Sequence, residues 1–432
     1  KKLINLLRGW PSPHLLPAEM LRRAANSVLS DPAVFVPALQ YGPDPGYEPL
    51  RQALAAWLGA AYSVKPDVRE LCITGGASQN IACVLQSYTD PAYTLAVWAV
   101  APCYFLACPI FEDAGFGERL RGVPEDEEGV DVEFLERTLR ECEEKASKEE
   151  KPYKHPTPHR KLYRHIIYLV PTCANPSGKT LPLARRTALV HLARRHNALV
   201  ICDDVYDLLQ WPTDSSRSEI PPLPRLSDID IPLGPSSHDP PARHFGHAVS
   251  NGSFSKLLGP GVRTGWAHGT ADFAYGLAQT GSTRSGGAPS QLTAAIVTQV
   301  VVDGGLDRHL RERVRPALRA RHGRVVEAVK RELAWAGVRV VESSESGRGV
   351  FGGYFLWVTL PEGGPAAAEL AERARAEEEL IVAPGGMFEV GKTGGGGRFE
   401  RNLRLCFSWE DGEIVVEGVV RLGRVLRRWY EG

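Results

Sequence analysis

The run Ser253-Phe254-Ser255-Lys256, followed by Gly259-Pro260-Gly261-Val262-Arg263, gathers a primary amine, two hydroxyls and a fixed cation in a short stretch of chain. Those groups can hold a phosphorylated aldehyde: the amine condenses with the carbonyl, while the hydroxyls and the guanidinium bind the phosphate. Taken alone, the same letters describe a surface lysine beside a Gly-Pro turn. The rest of the chain decides between the two.

Leu199-Val200-Ile201-Cys202-Asp203-Asp204-Val205-Tyr206 is an apolar run ending in paired carboxylates, the pattern of a buried parallel strand whose C-terminal end carries function. If the aldehyde sits on a pyridine ring, as in pyridoxal 5'-phosphate (PLP), it needs such an acid. The carboxylate keeps the ring nitrogen protonated, so that the ring accepts the electrons released at the substrate's α-carbon. We assign that role to Asp203, with Asp204 as the other choice. A further strand, His165-Ile166-Ile167-Tyr168-Leu169-Val170, runs into Pro171-Thr172-Cys173-Ala174-Asn175-Pro176-Ser177-Gly178. The Asn-Pro step forces extended backbone and presents the Asn175 amide at the sheet edge, where it can donate to the cofactor's phenolate oxygen with Tyr206 beside it. Leu71-Cys72-Ile73-Thr74-Gly75-Gly76-Ala77-Ser78 reads as strand, small-residue turn and helix start, the parts of an anion cradle with Gly76, Ala77 and Ser78 as donors.

Arg404 lies in Asn402-Leu403-Arg404-Leu405-Cys406-Phe407, an alternating strand. An arginine there is costly unless a carboxylate meets it, and its planar fork matches the α-carboxylate of an amino acid. With Pro102-Cys103-Tyr104 added, these motifs in this order resemble the class I/II aminotransferases of PLP fold type I, and within them the kynurenine/2-aminoadipate aminotransferase branch. The likeness runs from Gly9-Trp10-Pro11 to the final helix.

The resemblance implies roles residue by residue. Lys256 forms the internal aldimine and moves a proton between the α-carbon and the cofactor, Asp203 pairs with the pyridine nitrogen, and Tyr104 stacks on the ring. Asn175 and Tyr206 bind the phenolic oxygen; Gly76, Ala77, Ser78, Ser253, Ser255 and Arg263 hold the phosphate. Tyr41 matches a residue that reaches the phosphate of a neighbouring subunit, which implies a homodimer. Arg404, Asn175, Gly9 and Trp10 stand on the substrate side. The implied reaction is transfer of an amino group from an L-amino acid through pyridoxamine phosphate to a 2-oxo acid, with 2-oxoglutarate the expected acceptor. Another chemistry of the same fold, a C–S lyase, a cyclopropane-forming synthase or a carbon–carbon bond-forming enzyme, would use the same lysine, acid and arginine. A ligand-sensing regulator would need a basic helix-turn-helix, which the sequence does not show.

Departures from the family pattern are Ala101 before Pro102, Ser177 in place of the usual threonine, and a long Pro-rich stretch over residues 211–243, expected near the cofactor and so expected to bear on substrate choice. Two motifs are set aside. Gly386-Met387-Phe388-Glu389-Val390-Gly391-Lys392-Thr393 has P-loop spacing but is followed by four glycines rather than a helix, and Asn251-Gly252-Ser253 has the glycosylation pattern but adjoins the lysine turn.

The 432 residues carry 51 basic and 51 acidic side chains, a balance that offers no field for nucleic acid or an anionic membrane. No apolar run reaches the roughly 18 residues of a membrane span, and Lys1-Lys2-Leu3-Ile4-Asn5-Leu6-Leu7-Arg8 is too short an apolar stretch for a secretory signal. Eight cysteines without a C-x-x-C pair fit a reduced, cytoplasmic setting, and no metal is expected.

Strand and helix patterns alternate over residues 71–281, which predicts a mostly parallel sheet sandwiched by helices, seven-stranded in the implied fold, with an antiparallel strand near 262–268. Residues 141–164 read as an exposed charged loop. A long helix is expected over 306–335, then strands near 338–341, 354–360, 379–382 and 403–407 with helices near 366–376 and 412–429. The expected division is an α/β chain with an N-terminal segment 1–40 packing on the small domain and the partner subunit, a large PLP-binding domain 41–305 and a small α+β domain 306–432. An enclosed pocket with Trp10, Tyr41 and Phe388 would take an aromatic or aliphatic side chain.

Overall fold

The computed structural model describes residues 2–146, 151–155, 157–214, 220–284, 289–345, 348–391 and 398–432. Short strands form the main sheet, wholly buried except for Leu120–Asp126, in the spatial order Leu71–Thr74, Gly265–His268, Ala248–Ser253, Ala198–Asp203, His165–Leu169, Ala96–Ala101 and Leu120–Asp126. Gly265–His268 runs antiparallel to both of its neighbours, and the other pairings among these seven strands are parallel. A two-residue return, Gly129–Val130, extends the sheet antiparallel to Leu120–Asp126. The antiparallel strand starts later than the sequence suggested. Pro260–Val262 forms a single turn and Arg263 takes a left-handed φ of 45°, so extended pairing begins only at Gly265.

Helices such as Ala77–Tyr88 and Leu183–Arg195 follow the parallel strands, as crossover connections require. The C-terminal ends of Leu71–Thr74, His165–Leu169, Ala198–Asp203 and Ala248–Ser253 therefore open on one edge of the sheet, where α/β folds place ligands.

A second sheet is antiparallel throughout, in the order Arg339–Val340, Phe355–Thr359, Asn402–Cys406, Ala383–Pro384, and it sets Arg404 opposite Trp357 and Ala383. The strand expected near 379–382 is divided: Leu380–Ile381 pairs in parallel with Ile4–Asn5, and Ala383–Pro384 joins the second sheet. The long helical stretch contains Gly305–His309, a wide turn at Leu310–Val314 and the helix Arg315–Leu333. Pro316 has no N–H to donate to the carbonyl four residues earlier, and the widened turn lies just before it.

Two sequence readings need correction. Residues 141–164 are not simply an exposed loop: the helix Val132–Lys145, capped by Asp131 accepting from the Phe134 N–H, runs into them. Further along, Lys161 is buried and pairs at 2.9 Å with Asp239, also buried, while Tyr163 is fully enclosed. The Asp239 partner lies nearly eighty residues away, so periodicity along the chain could not reveal the pair. In the Pro-rich stretch, Gln210–Pro212 pairs with Val350–Gly352, and Arg225 is buried with two bonds to Asp228. Among the described residues no helix is long and apolar enough to cross a membrane.

Candidate active site

Lys256 ends the turn Phe254–Lys256 that closes strand Ala248–Ser253. Ser253 caps this turn, its Oγ accepting the Ser255 N–H at 3.1 Å and donating to Ser255 Oγ at 2.9 Å. The Lys256 Nζ donates to the Gly9 carbonyl at 2.8 Å and lies 5.2 Å from the centre of the Tyr354 ring, whose hydroxyl donates to the Lys256 carbonyl. Burial, with Arg404 adding to it, pushes the amine down to about 8 against the opposing pull of Cys406 and Asp203. In cofactor-free protein, the rate at which an amine-directed acylating reagent labels Lys256, read by peptide mass spectrometry, should titrate near pH 8. A profile still rising through pH 10 contradicts this environment.

Asp203 ends strand Ala198–Asp203 and is almost wholly buried. Its Oδ2 accepts from the Tyr168 hydroxyl at 2.9 Å and its Oδ1 from the Asn251 amide at 3.2 Å. Asn251 is fully buried, also donates to the Ala77 carbonyl and accepts from Asn80, which rules it out as a glycan acceptor. Burial raises the Asp203 carboxyl to about 6, opposed by the Tyr168 bond and by Lys256, so at pH 7 it is mainly ionised. Asp204 points elsewhere: it lines a separate small cavity with Tyr62, Arg225 and Trp266.

At the turn after Leu71–Thr74, Gly76 adopts φ +101°, and a Cβ there would come within 2.5 Å of the Arg263 guanidinium. Only glycine allows this approach. Arg263 donates to Ser255 Oγ and to the carbonyls of Pro260 and Gly75, so the guanidinium sits between the two turns. Ala77 and Ser78 begin the helix and line the same cavity, and first-turn N–H groups have no carbonyl within their own helix to bond.

Arg404 is buried, yet among the described residues it forms no ion pair. It donates to Asn175 Oδ1 at 2.8 Å and to the Leu7 carbonyl at 2.5 Å, while its Nε is buried without a partner. Phe355 and Phe388 cover it at 4.0 and 4.9 Å from ring centre to guanidinium carbon, and burial lowers it to about 10. A buried guanidinium with a spare donor and no acid beside it has the chemistry to accept a carboxylate.

These side chains share one cavity of about 510 Å³, lined by Ala77, Ser78, Tyr104, Asn175, Asp203, Tyr206, Ser253, Ser255, Lys256, Arg263 and Arg404, with Gly9 and Trp10 at its N-terminal wall. Gly76 meets it through Arg263. Burial raises the Tyr104 hydroxyl to about 12 and the Tyr206 hydroxyl well above its ordinary value. Tyr41 does not join them: it is 85% exposed and absent from the cavity wall of this chain. Phe388 sits behind Arg404 rather than in the lining. None of the described residues of 211–243 lines the cavity either, so the Pro-rich stretch does not shape it directly. In the set-aside P-loop pattern, Gly385–Phe388 forms a short turn; Lys392 and Thr393 lie outside the described residues.

Sequence reading missed Tyr168, Asn251, Tyr354, Phe355 and the carbonyls of Leu7 and Gly9. For Asn251 a signal existed, an amide in the middle of a buried strand. The two carbonyls had none, because any residue carries one.

The lysine, acid and cradle on a mostly parallel sheet, with a buried arginine brought to them from the antiparallel one, define a PLP enzyme of fold type I. The pieces fit the cofactor: an amine of lowered basicity, a buried acid at a strand end, and a glycine turn closed against the Arg263 guanidinium. The aminotransferase class I and II family model matches residues 12–417, and the chain belongs to that family. It is 32% identical to the Saccharomyces cerevisiae protein YER152C, covering 99% of this chain and 97% of that one. It is 31% identical to the 2-aminoadipate transaminase of Thermus thermophilus, covering 98% and 90%. The Pyrococcus horikoshii kynurenine aminotransferase, whose structure is a complex with PMP, KYN as substrates and KYA as products, superposes with a TM-score of 0.78 at 26% identity over 99% of this chain and 91% of that one. The protein is a PLP-dependent transaminase that moves an amino group from an amino acid to a 2-oxo acid.

Proposed function

We infer that Lys256 is the imine-forming residue and proton carrier, Asp203 the partner of the ring nitrogen, and Arg404 the receptor of the α-carboxylate, with 2-oxoglutarate as amino acceptor. One observation carries the reading: an amine, a carboxylate and an unpaired guanidinium, delivered by three separate elements, line a single cavity. Bound PLP supplies the electron sink that stabilises charge at the substrate's α-carbon. The rest is work for the chain. Ser253, Ser255, Arg263 and the N–H groups of Ala77 and Ser78 fix the phosphate; Tyr104 lies along the ring; Asn175 and Tyr206 bind its phenolic oxygen.

Lys256 moves the proton. Its lowered basicity leaves a sizeable fraction of free amine near pH 8, which suits a group that both accepts and returns a proton. Arg404 orients the substrate through two parallel bonds to its carboxylate, and its Asn175 contact links that orientation to the cofactor's oxygen side. A panel of amino donors assayed with 2-oxoglutarate, followed by cofactor absorbance, tests the reading. Reversible conversion between the pyridoxal and pyridoxamine forms supports it. Consumption of an amino acid without recovery by any 2-oxo acid points to a lyase or synthase instead.

The reading extends to a cytoplasmic homodimer with Tyr41 reaching the partner's phosphate site, supported by its exposure in the single chain and by the family. Sedimentation should give a dimer, and Tyr41→Phe should weaken PLP affinity by about 3- to 30-fold, the loss of one hydrogen bond to a charged group. Unaltered affinity removes Tyr41 from the site. The proposed division of the chain is a segment 1–40, a large domain 41–305 and a small domain 306–432, supported by the two sheets and by the Ile4–Asn5 pairing with Leu380–Ile381.

A further inference from the structure

Arg8 is a further cation in the wall of the same cavity, beside Lys256, Arg263 and Arg404, and the roles proposed for those three leave it without a task. Its guanidinium carbon lies 4.7 Å from the Trp10 ring centre and 5.0 Å from that of Trp409, and the two indoles meet at 86° with centres 5.6 Å apart. Arg8 therefore rests in a corner made by two aromatic faces. Among the described residues it forms no ion pair. Contacts to the ring faces leave the in-plane N–H edges of a guanidinium open, and those edges bind carboxylates.

The backbone fixes where this cation stands. The N–H groups of Leu7 and Arg8 both donate to Asn5 Oδ1, and the Trp10 N–H donates to the Arg8 carbonyl. Between them, the Leu7 carbonyl accepts from Arg404 and the Gly9 carbonyl from Lys256. A Cβ on Gly9 would meet the Phe355 ring at 2.6 Å, which holds this segment tight against the site. The Trp10 carbonyl is anchored in turn by Ser408 Oγ at 2.7 Å. Consecutive residues thus meet the α-carboxylate receptor, carry a free cation and meet the reactive amine.

We propose that Arg8, held by Trp10 and Trp409, is the specificity-determining residue for the distal carboxylate of an acyclic dicarboxylic substrate, an acidic amino acid or its 2-oxo acid. This rests on Arg404 taking the carboxylate next to the reacting carbon. With Arg263 given to the phosphate, Arg404 and Arg8 are two further arginines in the cavity wall, which fit a ligand with an acid at each end, and Phe105 and Leu106 offer apolar wall rather than a competing charge. Apolar donors remain compatible, because the indole of Trp10 is itself half exposed there.

The test uses the PLP-loaded holoenzyme with two oxo acids, 2-oxoglutarate and the monocarboxylic 2-oxohexanoate. Arg8→Met should lower the ratio of kcat/KM for 2-oxoglutarate to that for 2-oxohexanoate by about 10- to 100-fold, as loss of one charge-assisted pair predicts. By calorimetry on the pyridoxal form, where no amino group is available for transfer, the Kd of 2-oxoglutarate should rise by a similar factor. Arg8→Lys should recover part of both effects, and it also serves if Arg8→Met does not fold. An equal loss for both oxo acids, or none for either, overturns the proposal and leaves Arg8 as a clamp for two indoles. Arg404→Leu separates the layers: if it does not weaken both oxo acids, the reading of the α-carboxylate site has failed rather than that of Arg8.

Discussion

Lys256→Ala is expected to lower kcat by about 10⁴-fold or more while leaving a folded protein, because it removes both the amine that bonds the cofactor and the group that carries the proton. Circular dichroism should be unaltered, and borohydride treatment in the presence of PLP should no longer tag the peptide spanning position 256. The stability response has a definite sign. Burial lowers the amine from 10.5 to about 8, so between those pH values the unfolded chain binds more protons than the folded one and stability rises with pH. The cost of the buried charge is fully present below pH 8 and is relieved as pH climbs toward 10.5. The alanine variant lacks that cost, so at pH 7 its thermal midpoint should equal or exceed that of the cofactor-free parent, with the difference shrinking by pH 10. A variant that keeps activity near the parent's would end the assignment of Lys256.

Arg404→Leu is expected to reduce kcat/KM for every amino acid and oxo acid tested by about 10²- to 10⁴-fold, the range for removing a bidentate, desolvated carboxylate contact. A small change in stability beside that loss is what would mark the residue as functional. A buried guanidinium without an acid costs desolvation energy, and leucine would offer the Phe355 and Phe388 rings an apolar neighbour in its place. Against that gain, Asn175 Oδ1 and the Leu7 carbonyl lose their donor. The two effects oppose each other, so the thermal midpoint should move by only a few degrees, about 5 °C at most. A large loss of stability would show that Arg404 is a structural residue, and unchanged kcat/KM would show that substrate carboxylates bind elsewhere.

Much of the site is legible in the sequence. The lysine turn, the acid at a strand end, the small-residue turn and the arginine on an alternating strand are local patterns, and each reads from a window of a few residues. Asp203 and Asp204 mark where that stops. Both end the same apolar run, and only the pleat of the sheet sends one toward Tyr168 and the cavity and the other toward Tyr62 and Arg225. The Pro-rich stretch shows the opposite error. Its length and its expected place near the cofactor suggested a bearing on substrate choice, but none of its described residues lines the cavity, and Arg225 and the pairing with Val350–Gly352 engage it elsewhere.

The sequence by itself determined the kinds of chemistry available to this protein: which side chains can bond an aldehyde, bind an anion or hold a ring nitrogen, and the strand and helix periods that carry them. Tertiary structure alone decided which of them meet. Gly9 and Lys256, Leu7 and Arg404, and Lys161 and Asp239 are joined across long stretches of chain. The reason is physical. Hydrogen-bonding backbone and long polar side chains are the same at every position, and a contact acquires meaning only when packing brings its two ends together and excludes the water that would otherwise satisfy them.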